Sequence, residues 1–133
     1  MEKKPVISIK NLWAGYEDDT ILEDISFEMF QDDYVGLIGP NGGGKTTLNR
    51  VILGLLKPER GTITVMGQDP VRGRKYIGYV SQFQVEDKHF PISVWDVVAM
   101  GRLQPNLLKN FRVSPHDKEA IETALAQTGM LDF

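Results

Sequence analysis

Residues 34–46 read YVGLIGPNGGGKT, a short apolar run that leads into a G-x-x-x-x-G-K-T loop at Gly39–Thr46. Val35, Leu37 and Ile38 lie between Asp32-Asp33 and Gly39, the pattern of a buried parallel strand. After the loop, Leu48, Val51, Ile52 and Leu55 recur at helical spacing as far as Pro58, which predicts a helix stopping there. Strand, glycine-rich loop and helix, in that order, form the context in which such a loop surrounds phosphates. The stretch therefore predicts an α/β fold whose ligand is a nucleotide polyphosphate.

Each residue type in the loop answers a separate requirement. Gly39, Gly42, Gly43 and Gly44 open backbone angles closed to other residues, so successive N–H groups can turn toward phosphate oxygens, with Pro40 and Asn41 completing the cradle. Lys45 brings a point cation to the terminal phosphates, and Thr46 offers a hydroxyl to the accompanying Mg²⁺. The helix beginning near Lys45 adds the positive end of its dipole.

Working outward, Ile7 and Ile9 alternate with polar residues, as do Ile25, Phe27 and Met29, so each set predicts a half-buried strand, with a turn at Glu17-Asp18-Asp19. Gly61–Gly67 alternates in the same way and Gln68-Asp69-Pro70 reads as its closing turn. Ile77–Ser81 predicts another short strand, and the basic residues Arg72, Arg74 and Lys75 before it read as a solvated loop. Beyond Gln82 the texture becomes charged, which divides the chain into a core at 1–84 and a helical part at 85–133. In the second part Val94, Val97, Val98 and Gly101 have helical spacing. The last helix has Ser114 as N-cap, Pro115 at its first position, Asp117 completing the cap and Gly129 as its stop, with Ile121, Leu125 and Thr128 on one face.

Composition narrows the classes. At 133 residues and 41% hydrophobic content the chain suits one modest domain. A net charge of −3 lacks the basic footprint of a nucleic-acid binder, so no nucleic-acid partner is expected. With no cysteine there is neither a disulfide framework nor a thiolate metal site. No apolar stretch approaches the roughly 20 residues that cross a bilayer, and no signal-peptide core follows Met1, so a soluble intracellular protein is expected. Glu86, Asp87 and His89 read as a charged surface loop and His116 as a surface residue, rather than as metal ligands.

LWAGYED at 12–18, ILEDISFEMF at 21–30, GPNGGGKTTL at 39–48, PERGTITVMG at 58–67 and YVSQ at 79–82, taken in this order, resemble the ATP-binding cassette family, the ATP-hydrolysing subunits of membrane transporters. The resemblance implies a phosphate-loop NTPase core in part, with an N-terminal antiparallel β subdomain and the start of a helical subdomain. It implies that Tyr16 stacks on adenine, that Gln82 joins Mg²⁺ and the attacking water to the helical part, and that Thr47 offers a second hydroxyl on the α-phosphate side. Lys45 and Gln82 would be the catalytic residues present, Thr46 and Gln82 the Mg²⁺ contacts, and ATP with Mg²⁺ the cofactors. The partners implied are a membrane permease subunit, near Phe90 and Trp95, with a core role as the alternative for Trp95, and a second ATP-binding subunit, at the cytoplasmic face of the membrane. DKHFPISVWDVVAMGRL at 87–103 resembles cassettes of zinc and manganese importers, whose cargo metal the ATPase subunit does not bind. The family's LSGGQ-type signature, acidic strand with catalytic glutamate and switch histidine do not occur in these residues, so nucleotide binding without efficient turnover is expected. A non-catalytic nucleotide-binding fragment and another phosphate-loop NTPase are the alternatives; an N-K-x-D element for guanine is absent. A parallel strand without its neighbours should leave apolar surface exposed.

Overall fold

Alternation in the N-terminal residues becomes a long hairpin: β1 (Ile7–Tyr16) pairs antiparallel with β2 (Asp19–Met29), and β3 (Arg60–Val65) pairs antiparallel with the other edge of β1, giving the order β2-β1-β3. The structure is a computed structural model that describes residues 4–17, 19–81, 92–102 and 113–131. Its contacts separate two units, residues 1–82 and 83–133.

The hairpin extends well past the strands predicted at Ile7–Ile9 and Ile25–Met29. Its alternation changes phase midway: Ile9 is buried, Lys10 and Asn11 are exposed, and Leu12 and Ala14 are buried. The cause is a pair of left-handed residues facing each other, Asn11 at φ 47 and Asp24 at φ 49. Asn11 donates its side-chain amide to Asp24 Oδ1 at 3.0 Å and its backbone N–H to Ser26 Oγ at 2.7 Å, replacing the ladder bonds lost at the irregularity.

Helix α1 (Lys45–Ile52) lies on this sheet, and Ile9, Leu12, Ala14, Leu22, Leu48, Val51 and Ile63 form the buried cluster between them. It stops earlier than Pro58. The Gly54 N–H donates to Val51 O at 3.0 Å and the Leu55 N–H to Arg50 O at 2.8 Å, with Gly54 at φ 66, so a glycine cap ends the helix and leaves Leu55 64% exposed.

Two further expectations are corrected. Tyr34–Ile38 is not a strand: Tyr34 is 99% and Ile38 96% exposed, and neither β2 nor β3, the edges of the described sheet, pairs with it. Ile77–Ser81 likewise forms no strand. A parallel strand is held by neighbours along both edges and cover on both faces, and the described residues supply neither. Both runs nevertheless border one apolar cleft of about 810 Å³, in which Val35, Leu37, Tyr79 and Val80 face Ile25, Phe27 and Ile52. The turn before the first run is closed by Asp33, whose carboxylate accepts from the Phe30 N–H at 2.8 Å, while Asp32 takes φ 70 where a glycine would be expected.

After β3, Met66 (φ 52) and Gly67 (φ 69) make a two-residue turn in which Val65 and Gln68 exchange backbone bonds at 2.8 and 3.0 Å. The stretch predicted as a turn and solvated loop is instead helical. Asp69 caps α2 (Pro70–Gly73) by accepting from the Val71 N–H at 2.9 Å, and a 3-10 turn (Arg74–Tyr76) follows, with Arg72, Arg74 and Lys75 still exposed.

In the second unit, α3 (Val94–Met100) and α4 (Pro115–Gln127) close a small core of Ala99, Ile121 and Leu125, flanked by Trp95, Val98 and Val113. The inward face of α3 is thus Trp95, Val98 and Ala99; Val94 and Val97 are 39% and 52% exposed. Trp95 serves this core. Both helices begin in capping boxes, Ser93 with Asp96 and Ser114 with Asp117, and α4 ends at Gly129 (φ 68) as its sequence predicts.

Arg102 at the end of α3 donates to Asp117 Oδ1 at 2.9 Å, while Ser114 Oγ donates to Asp117 Oδ2 at 2.6 Å. The Ser114 hydroxyl first, then Arg102 and the Ser114 N–H, hold the Asp117 carboxyl at about 2, below its usual 3.8. A depressed carboxylate pKa contributes stability that is present above the unfolded value and is lost as pH falls through the folded one. Helix α4 should therefore keep its N-terminal turn down to about pH 4 and fray between pH 4 and 2, and S114A should raise the Asp117 pKa more than R102Q. Carboxyl NMR titration of the three proteins checks this ranking.

Candidate functional site

The loop Gly39–Thr46 meets the start of α1 at the rim of the sheet. Gly42 and Gly44 both stand at φ 80, the left-handed region that a glycine enters without penalty, and the Gly43 N–H donates to Pro40 O at 3.1 Å. Gly44 has a second reason to lack a side chain, because a Cβ there would lie 2.7 Å from Leu22 Cδ2. The loop is therefore fastened to the buried cluster at Gly44 while Gly39 to Gly43 stay exposed.

Gly44 is the N-cap of α1 and brings no side chain to its first amides, and no carboxylate stands in the first turn. Those N–H groups and the positive dipole end are left for an outside anion, which is what a phosphate requires. Lys45 Nζ donates to Gly39 O at 2.7 Å and to Pro40 O at 2.6 Å, folding its ammonium back over the loop. A lysine ammonium has three N–H donors, so one remains for a phosphate oxygen. Thr46 is exposed and Thr47 is 6% exposed, on the side of α1 that meets the core.

Tyr16 ends β1 and is 39% exposed. Its hydroxyl accepts from Arg50 Nη1 at 2.9 Å, and the guanidinium carbon lies 5.7 Å from the ring centroid. The aromatic is thus tied to the helix that carries the phosphate loop, through Arg50, a residue the sequence reading passes over. Basic character in the last turn of α1 was the only local signal for it. Gln82, Glu86, Asp87, His89 and Phe90 lie outside the described residues. Among the described residues there is no group of three or more His, Cys, Asp and Glu side chains that could hold a metal, and His116 is exposed.

The apolar cleft of about 810 Å³ is a separate feature, since neither Lys45 nor the loop glycines line it. It is an unfilled side of the core, whereas the phosphate loop is an open concavity of amides. The second presents N–H groups, one ammonium and one exposed hydroxyl, with an aromatic ring at the end of β1.

Comparison with known proteins agrees with that geometry. The family model described as ABC transporter matches residues 22–133. The manganese transport system ATP-binding protein MntB of Bacillus subtilis (strain 168) is 40% identical over 128 residues, which are 96% of this chain and 50% of MntB. The high-affinity zinc uptake system ATP-binding protein ZnuC of the same organism is 35% identical over 130 residues, 96% of this chain and 55% of ZnuC. Among solved structures, cbiO1 from Clostridium perfringens, part of the ABC transporter complex cbiONQ, superposes with a TM-score of 0.75 at 26% identity, over 97% of this chain and 52% of that one. The chain spans about half the length of the curated relatives it matches.

Proposed function

Because the chain belongs to the ABC transporter family, we propose that it carries the nucleotide-binding front of a transporter's ATP-binding subunit, holding ATP with Mg²⁺ and working with a membrane permease. The observation that supports this most directly is the uncapped start of α1, where Gly42 and Gly44 take left-handed angles and Lys45 keeps one N–H donor unused.

The residues fit the group. Amides of Gly42, Gly44 and Lys45 donate to the phosphate oxygens, Lys45 neutralises the terminal charge, and Thr46 presents its hydroxyl for Mg²⁺. Tyr16 offers its ring to the base; base–aromatic stacking is worth about 1–3 kcal/mol in single-stranded nucleic-acid complexes. Gln82 is assigned to Mg²⁺ and the attacking water. When bound, Mg-ATP supplies the phosphoanhydride whose cleavage powers transport. The chain's own part is to hold the triphosphate still and to screen its charge, since phosphoryl transfer depends mostly on positioning and electrostatics.

In this reading a second ATP-binding subunit and a permease complete the assembly, and the subunit sits on the cytoplasmic face of the membrane through that permease. Among the described residues no helix is long and apolar enough to cross a membrane. Metal-ion import is the proposed cargo class, supported by relatives named for manganese transport and zinc uptake. Residues 1–84 are assigned to the nucleotide-binding core and 85–133 to the start of the helical subdomain.

Calorimetric titration tests the nucleotide part of the proposal. The folded chain should give saturable one-site heat with Mg-ATP, and ATP should outcompete GTP. Folded protein that releases no heat with Mg-ATP sinks the proposal.

A further inference from the structure

We propose that Arg50 is a positioning residue for Tyr16, fixing the ring so that it stacks on the base; the inference rests on the reading of residues 39–47 as the nucleotide site. Arg50 stands in the last turn of α1, five positions beyond Lys45, so the helix that opens at the phosphates also reaches the aromatic. Its two contacts restrain different motions. The Nη1 donation to the Tyr16 hydroxyl at 2.9 Å fixes the tip of the side chain, and the guanidinium, its carbon 5.7 Å from the ring centroid, stands on one side of the ring at its hydroxyl end and resists rotation.

With the cation on one side of the ring and the residue still 39% exposed, the opposite face is left to a flat aromatic ligand. A ring already fixed loses little freedom when the base arrives, and ordering one side chain accounts for roughly a two- to tenfold change in affinity. Lysine cannot reproduce the arrangement, because a point ammonium lacks the planar fork that stacks on a ring and donates from its edge at once. Arg50 thus governs how much of the affinity comes from the base, and Lys45 how much comes from the phosphates.

The test titrates the full chain with Mg-ATP and with Mg-tripolyphosphate, which has no base. R50K and R50M are expected to weaken ATP roughly two- to tenfold and to leave tripolyphosphate unchanged. Y16F, which loses only the hydroxyl, should fall in the same direction, and R50M should cost less in the Y16F background than alone. Fluorescence of etheno-ATP, quenched on stacking, should be quenched less by R50M than by the unsubstituted chain. Equal loss on both ligands, or no loss on either, overturns the inference and leaves the phosphate site standing. Failure of the unsubstituted chain to bind tripolyphosphate overturns the nucleotide reading, and this inference with it.

Discussion

Replacing Lys45 by alanine is expected to weaken Mg-ATP binding about a hundredfold, near 2.7 kcal/mol, while leaving the melting of the protein almost unchanged. A hydrogen bond to a charged group contributes roughly 1.5–3 kcal/mol, and the site has one such ammonium aimed at the loop. Two of its three N–H groups are held by Gly39 O and Pro40 O, so the ligand takes the third and gains a cation fixed in place beforehand. The two carbonyls freed by K45A sit on exposed residues, where water replaces the lost donor. Affinity and stability should therefore separate. Calorimetry with Mg-ATP and a thermal melt of the same sample check this; binding by K45A within threefold of the unsubstituted chain would remove Lys45 from the site.

What the sequence discloses about this molecule is what short range determines. The loop is legible because each of Gly42, Gly44, Lys45 and Thr46 meets a local demand of angle, charge or reach. The cap of α4 is legible for the same reason, Ser114 and Asp117 being three apart and bonded to each other. Features that depend on distant residues are not. Alternation in β1 breaks at Asn11, whose left-handed angle is held by Asp24 and Ser26 across the hairpin, so counting by twos detects only Ile7–Ile9. The apolar run at Tyr34–Ile38 has strand composition, but a strand exists only with a partner, and the described sheet ends without reaching it. The contact between Arg50 and Tyr16 spans 34 positions and leaves no periodic trace. For α3, spacing points to Val94, Val97, Val98 and Gly101, but packing against Ile121 and Leu125 of α4 turns inward the face bearing Trp95, Val98 and Ala99.

Gly44→Ala should be the most damaging single methyl added to the site, costing about 2–5 kcal/mol of stability as the sum of two terms. A residue with a Cβ at φ 80 incurs roughly 1–2 kcal/mol of left-handed strain. The new methyl would also stand 2.7 Å from Leu22 Cδ2 and 3.3 Å from Ile21 Cγ2, and overpacking a filled core costs about 1–3 kcal/mol. Gly42 separates the terms, because it has the same φ of 80 and nothing within 4 Å of its Cβ position. Urea unfolding should therefore rank G42A well above G44A in stability, with the gap reporting the contacts with Leu22 and Ile21. Leu22 is 6% exposed and belongs to the cluster beneath α1, so the strain at Gly44 is transmitted directly into the core. In an L22A background the nearer of the two contacts is gone, and the difference between the two glycine substitutions should shrink, a non-additivity expected of residues in contact. If G44A and G42A are equally stable in the unsubstituted background, the loop is not seated on the sheet at Leu22, and the rigidity attributed to the phosphate cradle must come from another contact.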